Sequence, residues 1–193
     1  MKIIIINYGA GNVKSVQFAL EKLGYPSIFT NDPVLIQEAD KVIFPGVGEA
    51  SSAMKQLTRS GLDKIISVLK QPVLGICLGM QLMCNHSEEG NSQGLDIFPL
   101  KVVQFNNELK VPHMGWNTIN KFQSILFNSI NNDAYVYFVH SYYVPVSEYS
   151  IAQSNYGVDY SAAITKDNFY ACQFHPEKSG GVGEQILKNF LEL

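Results

Sequence analysis

Four consecutive isoleucines, Ile3–Ile6, stand near the start of this chain behind a single lysine. A run that is β-branched and apolar at every position has no polar face to turn toward water. It suits an inner strand of a parallel sheet covered on both sides, and it does not suit a half-exposed hairpin strand. The run is too short for the apolar core of a secretory signal, and no small-residue cleavage site follows it. The rest of the chain must therefore provide strands to flank this one and helices to cover both faces.

The first half does so. Val13, Val16, Leu20 and Leu23 recur at helical spacing, with Asn12 placed to cap the helix and Gly24 to end it. "YPSIFT" reads as a second strand, and Asp32–Pro33 as the cap and first-turn proline of a short helix. "KVIFPGVG" is a third strand running into a glycine turn. Helices are expected around Ala53–Thr58 and Leu62–Leu69, "PVLGI" is a fourth strand, and "LGMQLMCN" after it has helical character. Strand and helix alternating in this way imply right-handed crossovers and an α/β, doubly wound sheet with flanking helices. Ligands of such sheets bind at the carboxyl ends of the strands.

The second half changes to short strands. "IFPLKVVQF", "ELKVPHMGW", "AYVYFVHSYYV", "SIAQSN", "SAAIT" and "FYACQF" are separated by Asn, Gly, Asp and Ser, and "KDN" suggests a hairpin before Phe169. A last helix is expected over Val182–Leu191. No linker, repeat or low-complexity segment divides the halves, so residues 1–193 are expected to form one domain with a mixed, mainly parallel sheet.

Composition narrows the function. Of 193 residues 46% are hydrophobic and 16% charged, which allows a large core. A net charge of −3 argues against a nucleic-acid partner. No stretch approaches the roughly 18 apolar residues of a membrane helix. Three cysteines without framework spacing suggest a reducing, cytoplasmic setting. Four scattered histidines lack the spacing of a metal site, so neither metal nor other cofactor is expected. "NYGAGN" lacks the third glycine of a dinucleotide loop, and "PGVG" lacks the Gly-Lys-Ser/Thr of a phosphate loop.

One cysteine stands apart from packing. Cys77 falls where a buried strand turns into a helix, between Gly75 and Gly79. That is the setting of a nucleophile elbow, and a helix N-terminus favours thiolate over thiol. Cys84, seven residues on, reads as a buried thiol two helical turns along the same face. His175 is expected to end the strand "FYACQF", with Glu177 two residues on and projecting to the same side. Together they could form a nucleophile, a base and an orienting carboxylate; the bland alternative is a surface turn. "PGVGEA" lies at the same end of the sheet, where the backbone N–H groups of Val47 and Gly48, with that of Leu78, could stabilise an oxyanion.

"GICLGMQ", "FPGVG" and "FHPEKS", in that order, resemble the class I (triad-type) glutamine amidotransferases, and the likeness runs nearly the length of the chain. The resemblance implies a flavodoxin-like fold and hydrolysis of glutamine to glutamate and ammonia through a cysteine thioester. Cys77 would be the nucleophile, His175 the general base and Glu177 its orienting partner. Within the family, "NYGAGN", "VPHMGWN" and "YFVHSYY" look like the glutaminase subunits of imidazole glycerol phosphate synthase in histidine biosynthesis. By that likeness Gln81, Glu89, Ser141 and Tyr142 would hold the glutamine, and Gly48 would do so through its backbone. "HSY" at His140–Tyr142 departs from relatives that often have Thr in the middle, a change that keeps the hydroxyl. The partner implied is a (β/α)₈-barrel cyclase in a heterodimer that receives the ammonia and makes imidazole glycerol phosphate and AICAR. Asn12, Trp116 and Lys178 would face it, Trp116 from a Gly- and Asn-flanked loop. The alternatives are a paralogue feeding ammonia to another synthase, such as a surface-sugar amidotransferase, and a peptidase or γ-glutamyl hydrolase of the same fold. A binding module that has lost activity is the remaining one.

Overall fold

The computed structural model describes residues 1–9, 13–106 and 108–193. Asn12, expected both to cap a helix and to face a partner, lies outside them.

The first half alternates as its periodicity predicts: β1 (Ile3–Ile6), α1 (Val13–Lys22), β2 (Ser27–Thr30), α2 (Pro33–Gln37), β3 (Lys41–Gly46), α3 (Ala50–Ser60), α4 (Leu62–Ile66), β4 (Val73–Cys77) and α5 (Leu78–Leu82). Local chemistry sets many of these ends. At the end of α1 the Gly24 N–H donates to Glu21 and the Tyr25 N–H to Leu20, with Gly24 at φ +85°. Asp32 accepts from the Val34 N–H, with Pro33 in the first turn of α2. Glu49 accepts from the N–H groups of Ser51 and Ser52 at the start of α3, and Gly61 at φ +72° ends it.

The second half adds β5 (Cys84–Ser87), β6 (Ser92–Gln93), β7 (Phe98–Gln104), β8 (His113–Ile119), β9 (Ala134–His140), β10 (Tyr142–Tyr143), β11 (Ser150–Asn155), β12 (Asp159–Lys166), β13 (Phe169–Cys172) and α6 (Gly180–Leu191). The main sheet has seven strands in the order β11-β12-β13-β4-β3-β1-β2. It is parallel from β13 to β2 and antiparallel across β11, β12 and β13. The hairpin read from "KDN" is present: Lys166 pairs with Phe169 across Asp167 and Asn168. A four-stranded sheet (β10-β7-β5-β6) and the β8–β9 ribbon lie outside the main sheet.

The isoleucine run behaves as its composition requires. Ile3 and Ile5 pack into one core with α1 and α6; Ile4 and Ile6 pack into the other with α2, α3 and α4. All four are at most 1% exposed, so both faces of β1 are dry.

Three sequence expectations need correction. "LGMQLMCN" is helical only to Leu82, and Cys84 begins β5, so Cys77 and Cys84 do not share a helix face. Ladder bonding wins there: the Met83 carbonyl accepts from Ile97 and Phe98, which starts the alignment of β5 with β7. Trp116 lies not in a loop but within β8, paired with Tyr137 of β9. His175 does not end β13, which stops at Cys172; it precedes a 3₁₀ turn at Pro176–Lys178.

The junction of β4 and α5 has no spare room. A Cβ on Gly79 would lie 1.9 Å from the Phe44 carbonyl oxygen of β3, an atom that cannot move without disturbing the sheet. Gly79→Ala is therefore expected to destabilise the fold by about 3 kcal/mol or more. Urea unfolding would test this, and a loss below roughly 1 kcal/mol would contradict the close approach.

Candidate active site

The parallel register sets Gly46 of β3 beside Cys77 of β4, so both strands deliver their carboxyl ends to one place. Cys77 sits at φ +54°, ψ −110°, a conformation that a side-chain-bearing residue rarely adopts. The strain comes from turning the chain sharply from β4 into α5, and it lifts the sulfur off the sheet. Cys77 is 7% exposed, and its thiol points toward the Val139 carbonyl at 3.7 Å. Val47 and Gly48, the latter at φ +98°, continue from β3 over the same spot.

Those residues border a cleft of about 350 Å³ that Leu78, Gln81, Glu89, Ser141, His175 and Lys178 also line, together with Pro112, Val139 and His140. His175 and Glu177 do come together, though through the 3₁₀ turn rather than an extended segment: Nδ1 lies 2.8 Å from Glu177 Oε1. Because a carboxylate can only accept, Nδ1 carries the hydrogen and Nε2 is the nitrogen left for the cleft. Burial by itself pushes the His175 imidazole down, but the Cys77 sulfur and the Glu177 carboxylate outweigh it and raise the group to about 10. The other Glu177 oxygen is buried without a partner among the described residues. A carboxylate so placed is tolerable only beside a cation, which agrees with a protonated imidazole.

The backbone of His175 is fixed as firmly as its ring. Its N–H donates to the Tyr137 carbonyl, Ser179 Oγ donates to its carbonyl, and the same Oγ accepts from the Tyr137 N–H. Tyr137 in turn packs edge-on against Trp116, which is 56% exposed.

Gln81 is buried, donating through Nε2 to the Tyr142 carbonyl (3.0 Å) and to Gln173 Oε1 (2.9 Å). Its own carbonyl oxygen is then the atom free for the cleft. Glu89 Oε2 accepts from the Ala50 N–H at 2.8 Å, and burial raises its carboxyl despite that bond. Burial also raises the thiols of Cys84 and Cys172, which leaves them inert filling.

A nucleophile at a strained turn, a carboxylate-held imidazole and glycine-rich backbone around one cleft suit acyl transfer through a thioester. The profile of the family described as "Glutamine amidotransferase class-I" matches residues 4–193. The chain belongs to the class I glutamine amidotransferases. This amidotransferase is 58% identical over 196 residues to "Imidazole glycerol phosphate synthase subunit HisH" of Bacteroides fragilis (strain YCH46), with all of both chains covered. It is 47% identical over 197 residues to the HisH subunit of Pectobacterium atrosepticum, again with all of both chains covered. Among solved structures it resembles a glutamine amidotransferase (TM-score 0.76, 16% identity, 98% of this chain and 97% of the other). It also resembles PurLQS from Thermotoga maritima (TM-score 0.72, 13% identity, 99% and 97%). At those identities the structural likeness speaks for the fold alone, and that fold is the flavodoxin-like one the motifs imply.

Two expected contacts sit differently in the amidotransferase. Tyr142 is not part of the cleft lining and reaches the site through its main-chain carbonyl. Lys178, expected at a partner face, lines the cleft as well. Sequence reasoning missed Gln173 and His140. Gln173 is fully buried, and its Nε2 lies 3.8 Å from the Cys77 sulfur. Its place two residues before His175 was the only hint, and β13 ends between Gln173 and its strand neighbours, so alternation could not orient it.

Proposed function

We propose that this chain hydrolyses glutamine with Cys77, His175 and Glu177, and passes the ammonia to a (β/α)₈-barrel cyclase in histidine biosynthesis. The observation that carries the reading is the convergence of Cys77 and the His175–Glu177 pair on one cleft with Gln81 and Glu89.

The Cys77 thiolate attacks the side-chain amide carbon of glutamine. The Val47, Gly48 and Leu78 N–H groups face the oxyanion that forms. His175, charged at the start, gives its proton to the departing nitrogen as the C–N bond breaks, so ammonia leaves and a thioester remains. The neutral ring then takes a proton from water, whose oxygen attacks the thioester carbon. Cys77 departs as thiolate and glutamate is released. Gln81 Oε1 and the free oxygen of Glu89 suit the α-ammonium end of the substrate, with Ser141 and the backbone of Gly48 completing the pocket.

The Bacteroides and Pectobacterium relatives are each named as one subunit of a synthase. Exposed Met114 and Trp116 on β8, with Lys178 nearby at the cleft, suit the docking edge for the barrel. Coupling the two subunits has a chemical reason: ammonia released into neutral water becomes ammonium, which has no lone pair for attack. No helix among the described residues is long and apolar enough to cross a membrane, and the reading places the pair in the cytoplasm.

Glutamine hydrolysis is expected to rise at least tenfold when the cyclase and its nucleotide ligand are added to the purified chain. Ammonia release measured with and without them tests this. Equal rates in the two conditions would remove the coupling, and no hydrolysis in either would remove the activity.

A further inference from the structure

Along the wall of the cleft a line of polar groups joins Gln81 and Cys77 to residues that the reaction does not use. It begins on β8 beside Trp116 and ends at the Cys77 sulfur. Asn117 Nδ2 lies 3.4 Å from His113 Nε2; His113 Nδ1 lies 3.1 Å from His140 Nε2; His140 Nδ1 lies 2.8 Å from the Tyr142 carbonyl. The same carbonyl accepts from Gln81, which donates also to Gln173, whose Nε2 faces Cys77. We propose that Asn117, His113, His140 and Gln173 are positioning residues: a hydrogen-bond chain, with every donor and acceptor fixed, that holds Gln81 and Cys77 in register with the β8–β9 ribbon. This rests on the glutaminase reading of the cleft.

One carbonyl decides every direction in the chain. The Tyr142 oxygen can only accept, so His140 carries its hydrogen on Nδ1. With that ring neutral, Nε2 accepts, and His113 supplies the donor from Nδ1 at 3.1 Å; the Tyr160 hydroxyl oxygen, 3.4 Å from the same Nδ1, can accept from that hydrogen too. Then His113 Nε2 accepts in turn, and it needs a donor. Asn117 meets the requirement: its Oδ1 accepts from the Thr118 N–H and its Nδ2 donates to the Asn155 carbonyl, so its amide has one orientation and a second N–H to give. On the other side, Gln81 must present nitrogen to the carbonyl, Gln173 must present oxygen to Gln81, and its nitrogen is thereby turned to the sulfur.

Neutrality follows from the surroundings. His113 and His140 are 4% and 5% exposed, and His113 lies stacked between Phe138 and Tyr156. Burial lowers His113 to about 4 and His140 to about 3, the latter despite its bond to Tyr142. A proton added to His140 would sit on Nε2 and face the His113 Nδ1–H across 3.1 Å, and one added to His113 would sit on its Nε2 and face the Asn117 amide N–H across 3.4 Å. Such a chain has one stable arrangement, so moving the ribbon at Trp116 is felt at Gln81 and at the sulfur.

Nitrogen NMR of the full chain tests the arrangement directly. A solvent-exposed histidine side chain prefers hydrogen on Nε2, whereas both His113 and His140 are expected as neutral Nδ1–H tautomers through neutral pH. Either ring as the Nε2–H tautomer, or charged at pH 7, would overturn the proposal whether or not the protein hydrolyses glutamine. In the complex with the cyclase, His140→Phe is expected to raise KM for glutamine roughly ten- to hundredfold. His140→Asn, which keeps a donor at the Nδ1 position, is expected within about threefold of the parent, and His140→Gln, which does not, should resemble His140→Phe. Equal activity in the Phe and Asn variants would overturn the chain. A parent without glutaminase activity would instead remove the reading it rests on, and the tautomers would still be measurable.

Discussion

Replacing Cys77 with alanine is expected to lower glutamine hydrolysis on the order of 10⁴-fold or more, with the fold retained. The sulfur is the atom to which the acyl group is transferred, so no neighbouring group can replace it; Cys84 and Cys172 are fully buried. Thioester trapping with a glutamine analogue, read by mass spectrometry, should vanish together with the activity. Labelling that persisted in the alanine variant would place the nucleophile elsewhere. The same position carries a stability signature. At φ +54°, ψ −110° any Cβ is strained, and glycine is not. Cys77→Gly should therefore be inactive yet more stable than Cys77→Ala by about 1 kcal/mol, which urea unfolding would resolve. Equal stability would mean that the turn stores no strain.

Glu177→Gln is expected to cost roughly 10²- to 10⁴-fold in kcat with little change in KM, since the carboxylate touches the imidazole and not the substrate. An amide can still accept from Nδ1, but it brings no charge to hold the proton on the ring. His175 should then fall below its value of about 10. The sign of the stability effect follows. The folded group titrates above the ordinary imidazole value of about 6.5. Its contribution is thus fully present below that pH and is lost as pH rises through about 10. In the variant the upper end of this window moves down, so stability should change less between neutral and alkaline pH. Unfolding measured across that range checks it; parallel profiles for parent and variant would mean that Glu177 does not set the charge of His175.

These two residues also show how far the sequence could be read. Cys77 was legible because a buried strand, two glycines and a helix start leave a single place for the turn. The His175–Glu177 pairing was legible from spacing, but by the wrong local geometry: the proline between them bends the chain into a 3₁₀ turn, and the two side chains still meet. Gln173 was legible only as a neighbour of His175, with nothing to orient it. A glutamine near a strand end has no periodic signature, and its meaning comes from Cys77 and Gln81, respectively 96 and 92 residues away in the chain. Trp116 was misplaced for a related reason. Its glycine and asparagine neighbours argue for a loop locally, while pairing with Tyr137 across β9 makes it strand.

The sequence by itself determined the alternation of strands and helices, the burial of Ile3–Ile6 on both faces and the turn that strains Cys77. Each of these follows from residues close together along the chain, where periodicity, capping and turn chemistry act. Tertiary structure alone decided that α5 stops at Leu82 and gives way to β5, that Glu177 is buried with one oxygen unpaired among the described residues, and that His113 and His140 lie in line at the wall of the cleft. Those outcomes depend on which strands pair and which polar groups are then shut away from water, and a buried donor must take whatever acceptor the packing brings to it.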